Sequence, residues 1–260
     1  MMNMKMWRRV AGVCALAMLA VWAAPARAQE GPKEKPPLYS YVGNWTIPRA
    51  QWGQMEKATA ADETVLAKAL ADGTIVGYGD DTSLVHRPEG STHDQWWSAM
   101  SMAGVLNVLG QFYKNGSATS PALASATKHW DNIYVSRYYN WRSGSHKGAY
   151  TRVSSYRLKA DAPDDALGTL SKNLFVPFLE KLLADGTILE YEIDGEAIHT
   201  ESAQMFWVVF IAPNAEALDK YNAAFREVQK MNPLGGPAFV SMVDFTDHRD
   251  DLDWTNATYK

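Results

Sequence analysis

His86 and His199 stand 113 positions apart (199 less 86). Histidine changes charge nearest neutral pH, so it is the side chain best suited to proton transfer there, and it is the commonest metal ligand. The same separation divides two copies of one segment. Residues 66–75 read LAKALADGTI and residues 179–188 read LEKLLADGTI, identical at eight of ten positions. No compositional bias produces such a match, so the chain reads as an internal duplication. The two histidines then occupy equivalent places, just past the second strand of each half. They form a duplicated polar site, or one site where both meet near a pseudo-two-fold axis, with His86 and His199 as general bases. The competing reading is structural: a histidine inherited by both halves and bonded to a backbone carbonyl.

Other candidates fall in the first half. His93-Asp94-Gln95-Trp96-Trp97 aligns with residues 202–206 of the second half once four extra residues, around 87–93, are set aside. His93 and Asp94 are a base and a potential orienting carboxylate, although sequence neighbours on a strand point to opposite faces. Aromatic residues are dense here, and Trp and Tyr suit walls around a planar, partly apolar ligand. Tyr39, Tyr41, Trp45, His93, Trp96 and Trp97 form the expected ligand-binding set. His129-Trp130-Asp131, just before the fourth strand, reaches the same mouth or is a simple strand entry.

These residues need elements to place them. In the first half, β-branched and aromatic density predicts strands over 38–47, 74–78, 95–102 and 132–140, and apolar spacing predicts helices over 51–71 and 105–114. The second half repeats the order: strands over 150–158, 187–193, 203–212 and 238–245, helices over 164–184 and 214–230. Pro177 predicts a kink or break in the first of these helices. Residues 232–237 (NPLGGP) read as a turn-rich loop. In each repeat Asp-Gly closes a helix, glycine being the usual residue where the chain turns left-handed.

Residues 1–28 read as a secretory signal peptide: Lys5, Arg8 and Arg9, then an uncharged apolar run over 10–24, then Ala26-Arg27-Ala28. Cleavage is expected after Ala28, giving a periplasmic or secreted protein. The apolar run is too short for an ordinary membrane span, and no later stretch is apolar enough to span a bilayer. The leader takes four cations and no acid, which leaves 21 cations against 29 acids, a net charge of −8. So acidic a chain, without a basic block, excludes nucleic acid and anionic membrane as natural partners. Cys14 is the single cysteine and leaves with the leader, removing disulfides and thiolate chemistry. Residues 29–37 form a proline-rich, flexible lead-in. The expected domains are a first repeat over 38–142, a linker over 143–149, a second repeat over 150–247 and a charged tail over 248–260.

The order β-α-β-β-α-β, twice, is two ferredoxin-like units, each with an antiparallel sheet that is covered by helices on one face. The bare faces must be buried, and two sheets in one α+β chain bury them on each other. With the LADGTI motif at a helix-to-strand turn, the chain resembles the dimeric α/β-barrel superfamily in a fused, tandem form, and resembles uncharacterised secreted bacterial proteins within it. The resemblance covers roughly residues 40–255. It implies a monomeric pseudo-dimer with an internal pseudo-two-fold axis and a small-molecule pocket between sheet and helices. The superfamily includes cofactor-free monooxygenases, isomerases, decarboxylases and haem enzymes of the chlorite-dismutase type, so fold does not select an activity. Three readings stay open. The first is an enzyme on a partly aromatic ligand with His as base and no cofactor. The second is a non-catalytic binding or carrier module. The third is a haem or metal protein with a histidine ligand. No glycine-rich phosphate loop, His-Glu-x-x-His or Gly-x-Ser-x-Gly is present.

Overall fold

The first half opens with β1 (Leu38–Thr46), whose residues alternate between two buried surroundings. Pro48 ends it and a 3-10 turn leads into α1 (Trp52–Ala71), which buries Met55, Leu66 and Ala69. Strands β2 (Gly77–Ser83) and β3 (His93–Ala99) follow, then α2 (Met102–Asn115) and a short α3 (Pro121–Ala124). Ser101 caps α2, its hydroxyl accepting from Gly104 N–H at 3.1 Å, which satisfies one of the donors that a helix start leaves free. Strand β4 (Lys128–Trp141) completes the half. The second half has β5 (Gly144–Leu158), α4 (Ala166–Leu170), a π turn over Ser171–Phe175, and α5 (Val176–Asp185). Pro177 lacks the N–H an α-helix would use, and the irregular turn sits directly before it. Strands β6 (Glu190–Ile198) and β7 (Met205–Ala212), helices α6 (Ala215–Met231) and α7 (Gly235–Met242), and β8 (Val243–Tyr259) follow. This computed structural model describes residues 32–117, 120–201 and 203–260; the leader expected over 1–28 lies outside them.

All eight strands close into one antiparallel barrel in the order β1-β3-β2-β8-β5-β7-β6-β4. The order is unchanged when β1–β4 are exchanged for β5–β8, so the two ferredoxin-like repeats are related by a pseudo-two-fold axis along the barrel. The β2–β8 and β4–β6 pairings are the seams between halves. The helices of each half pack on that half's strands, and Tyr138 of β4 joins the core of the second half. Leu66, Ile75, Trp97, Val105, Val108 and Phe112 form one outer core. Leu170, Phe178, Leu179, Ile188, Phe206 and Phe210 belong to the other.

The duplicated motif has a structural role in this frame. Gly73 and Gly186 both adopt left-handed backbone, with φ of 75° and 79°, a conformation that costs residues with a Cβ. The following Ile75 and Ile188 are both fully buried. One turn chemistry thus delivers the chain from helix to barrel twice.

Several boundaries differ from the sequence reading. Residues 232–237 were expected as loop and 238–245 as the last strand, whereas α7 spans Gly235–Met242 and the last strand is Val243–Tyr259. The expected tail over 248–260 is therefore mostly barrel wall. The expected linker over 143–149 is mostly the start of β5. The cause is shared: β5 and β8 carry polar residues on their inward faces, Thr151 and Ser155 on one, Asp251, Asp253 and Thr255 on the other, so the alternation that marks a half-buried strand is silent.

Candidate functional site

Because strand neighbours alternate in direction, β2 and β6, four places apart in a ring of eight, run parallel on opposite walls. Their inward residues follow from alternation: Gly77, Gly79, Asp81 and Ser83 on β2, Glu190, Glu192 and Asp194 on β6. Between the walls lies a cavity of about 490 Å³. Its sides include Val42, Trp96, Trp130, Tyr134, Val153, Trp207 and Val209 together with Asp81, Asp94, Glu190, Glu192, Asp194 and Asp253. One end opens between the β2–β3 and β6–β7 loops, where Arg87, Lys128, Arg157, Glu201 and Arg249 line it. At the other end Trp96, Ala149, Ile211, Ala257 and Tyr259 pack together. Two rings rest there on glycine: a Cβ at Gly77 would stand 2.4 Å from the Tyr259 ring, and one at Gly79 2.5 Å from Trp96.

Charge is graded along the cavity. Three of the four cations that line the mouth are paired: Arg87 with Asp251 at 3.1 Å, Arg157 with Asp247 at 2.5 Å, and Lys128 with Glu89. The deeper carboxylates face hydroxyls or one another. Asp81 and Asp94 are direct cross-strand partners, and Thr151 donates to Asp81 at 3.2 Å. Ser40 donates to Glu192 at 3.0 Å and is within 2.8 Å of the Ser98 hydroxyl. Among the described residues both oxygens of Glu190 and one each of Asp94 and Asp194 have no hydrogen-bond partner, although Glu190 and Asp194 are only 1% and 3% exposed. Burial opposes ionisation and like charges add to it. Asp81 is pushed up to about 8, first by burial and then by Asp253. Glu192 is pushed up to about 7 by burial, and Asp253 to about 7 by burial and Asp251. Asp94, Glu190 and Asp194 are raised well above the usual carboxylate range, again by burial first. The cavity can therefore hold or exchange protons near neutral pH, or attract a cation.

A second, smaller pocket of about 140 Å³ lies between the first-half sheet and its helices, lined by Tyr41, Trp45, Asp62, Gln95, Trp97, Phe112 and His129. Tyr41 donates its hydroxyl to Asp131 at 2.5 Å. His129 Nε2 lies 3.4 Å from the same carboxylate oxygen, and its ring stacks on Trp45 with centroids 5.0 Å apart. Burial, and then the bond to Asp131, keep the Tyr41 phenol protonated far above its ordinary range.

The expected site residues divide among three places. Tyr41, Trp45 and Trp97 reach the helix-side pocket, whereas Trp96, the next residue on β3, points into the barrel. Tyr39 lies on the helix side, packed against the first outer core, and lines neither space. His93 is buried beside Trp52, with ring centroids 5.1 Å apart, and burial followed by the nearby His86 pushes it down to about 4. His86 is exposed and edge-on to the same Trp52 at 5.5 Å, and His199 is exposed just past β6. Standing at the ends of opposite strands, His86 and His199 are not brought together, and the cavity lining contains no histidine among the described residues. Nor is the first half longer at β3. Asp81 pairs with Asp94 and Asp194 with Trp207, each 13 positions on, so the 113 offset holds through β3 and β7 without extra residues. The sequence reading missed the inward carboxylates, yet a signal existed: Asp81 and Asp194 are also 113 apart (194 less 81).

No family model matches the sequence, and no curated protein matches it. Solved structures do. A "putative monooxygenase" from Lactobacillus acidophilus aligns over 86% of this chain and 97% of its own, with TM-score 0.62 and 9% identity. A "putative monooxygenase" from Fusobacterium nucleatum aligns over 87% and 95%, with TM-score 0.58 and 7% identity. An anthrone oxidase-like protein aligns over 87% and 94%, with TM-score 0.56 and 10% identity. The chain has the dimeric α/β-barrel fold, with two ferredoxin-like repeats in one polypeptide. At these identities the likeness concerns the fold.

Proposed function

We propose that this protein is an exported, monomeric small-molecule-binding protein whose ligand occupies the barrel interior. The observation that carries this reading is the cavity itself. Its volume of about 490 Å³ falls in the range of ligand sites, roughly 300–1,000 Å³, and its mixture of aromatic walls with a few convergent polar groups is their usual chemistry. The helix-side pocket, at about 140 Å³, is below that range and far below what a haem needs. Among the described residues no three His, Cys, Asp or Glu side chains are grouped to hold a metal ion.

A thermal-shift screen of small aromatic compounds against residues 29–260 tests the reading. Binding should survive Leu109→Trp, which fills the helix-side pocket, and vanish in Val209→Trp, which fills the barrel. The reverse pattern contradicts it. Export is tested by the N-terminus of protein recovered outside the cytoplasm, expected at Gln29, and the monomer by its mass in solution.

A second reading has a specific observation behind it: the Tyr41–Asp131–His129 contacts at the helix-side pocket make a proton relay on the face where the sequence reading placed its ligand. It makes the protein an enzyme on a small substrate. Turnover of a compound that is abolished in both Tyr41→Phe and Asp131→Asn, and retained in Val209→Trp, selects it.

A further inference from the structure

We propose that the ligand of the barrel interior is an organic cation, an amine or guanidine carried on an aromatic or apolar body, bound with its charged nitrogen against Glu190. This deepens the reading of the barrel as the ligand site and rests on it.

The two halves have diverged at equivalent inward positions, and the divergence builds this chemistry. At the offset of 113, Gly77 and Gly79 on β2 correspond to Glu190 and Glu192 on β6, and Trp96 on β3 corresponds to Val209 on β7. On the first wall, aromatic rings pack directly against glycine. On the second, glutamates stand where those glycines would be, beside a smaller valine. The result is a pocket in which rings pack against the glycines of β2 while glutamates stand at the equivalent positions of β6.

Glu190 is the pointed observation. It lines the cavity and is 1% exposed, yet among the described residues neither of its oxygens has a partner. Asp194 repeats the pattern with one unpartnered oxygen at 3% exposure. A buried carboxylate without hydrogen bonds is costly, and the group that relieves it best is a donor bearing positive charge. Among the described residues no cation is paired with either carboxylate: the cations that line the cavity stand at its mouth, where Arg87, Arg157 and Lys128 have acidic partners of their own and Arg249 stands beside them. Neighbouring rings add attraction for the same ligand, because a cation is drawn to the face of Trp or Tyr, and Tyr134 and Trp207, on the two strands that flank β6, have centroids 4.7 Å apart. A bare metal ion would need three or more grouped ligands, which the described residues do not offer.

Calorimetry on residues 29–260 with three probes of like shape, 2-phenylethylamine, 2-phenylethanol and 3-phenylpropionate, tests the charge directly. At about pH 8, where the amine is charged, the amine should bind about tenfold or more tighter than the alcohol, and the carboxylate weakest. Glu190→Gln should reduce the amine's advantage over the alcohol to about threefold or less. The alcohol binding as tightly as the amine in the wild-type chain overturns the inference and leaves the barrel site standing. An amine preference unchanged in Glu190→Gln overturns the placement of the nitrogen. No probe binding at all, in a chain whose fold is verified, overturns both the inference and the barrel site. The wild-type comparison decides the matter of charge even where the variant fails to fold.

Discussion

Asp81 and Asp194 are duplicates of one residue, 113 positions apart, and face the same cavity from opposite walls of the barrel. Of the pairs related by the duplication, this one carries chemistry into the interior. His86 and His199 share the offset but sit outside, at the rim. The strand register explains the difference: alternation on β2 and β6 points Asp81 and Asp194 inward, whereas the histidines lie beyond the strands, where no register fixes them.

The buried carboxylates make stability fall as pH rises. Asp81 moves from 3.8 to about 8, Asp253 from 3.8 to about 7 and Glu192 from 4.5 to about 7. Between these limits the folded barrel holds protons that the unfolded chain has released, so the stabilising contribution is complete below the lower values and is lost as pH passes the upper ones. The melting temperature should therefore drop between about pH 5 and pH 8, and Asp81→Asn should drop less. A melting temperature that is flat or rises over this interval contradicts the burial of these groups.

Gly79→Ala should destabilise the barrel by roughly 1–3 kcal/mol, the usual cost of overpacking. Its Cβ would meet the Trp96 ring at 2.5 Å and the Asn256 carbonyl oxygen, which is backbone, at 2.7 Å. Urea unfolding measures this, and wild-type stability in the variant would show that Trp96 does not lie on that strand.

Gly186→Ala and Gly73→Ala should each lose about 1–2 kcal/mol, because both positions require left-handed backbone. Equal losses at the two sites would confirm that the duplicated motif serves the turn. An unchanged unfolding midpoint in either variant would count against it.

His86→Ala and His199→Ala should leave ligand affinity in the barrel unchanged, singly and together, since both side chains are exposed and outside the cavity lining. Affinity measured by calorimetry with the best compound from the screen checks this. A loss of about tenfold or more in either variant would restore the histidines to the site.

Much of the fold was legible because its signals are local. The LADGTI repeat carries the glycine turn and the buried isoleucine, and Tyr41, Trp45 and Trp97 carry the alternation of strands with one apolar face. The site was less legible for the same physical reason. Hydrophobic periodicity finds surfaces that face an apolar core, and here the inner surface of the barrel is partly acidic. On β8 the inward Asp251, Asp253 and Thr255 make a wall strand read as a solvated tail. On β2 and β6 an inward Asp81 or Glu192 reads as an exposed one. Trp96 and Trp97 were expected in one pocket, yet adjacent residues of a strand face opposite sides, so one lines the barrel and the other the helix-side pocket.

The most direct test of the account is a crystal structure of residues 29–260 soaked with 2-phenylethylamine. Ligand density inside the barrel, with its nitrogen at Glu190 and its ring directed toward Trp207, is the predicted result. Density between Tyr41, Trp97 and Phe112, beneath the first-half helices, with the barrel interior unchanged, would contradict it.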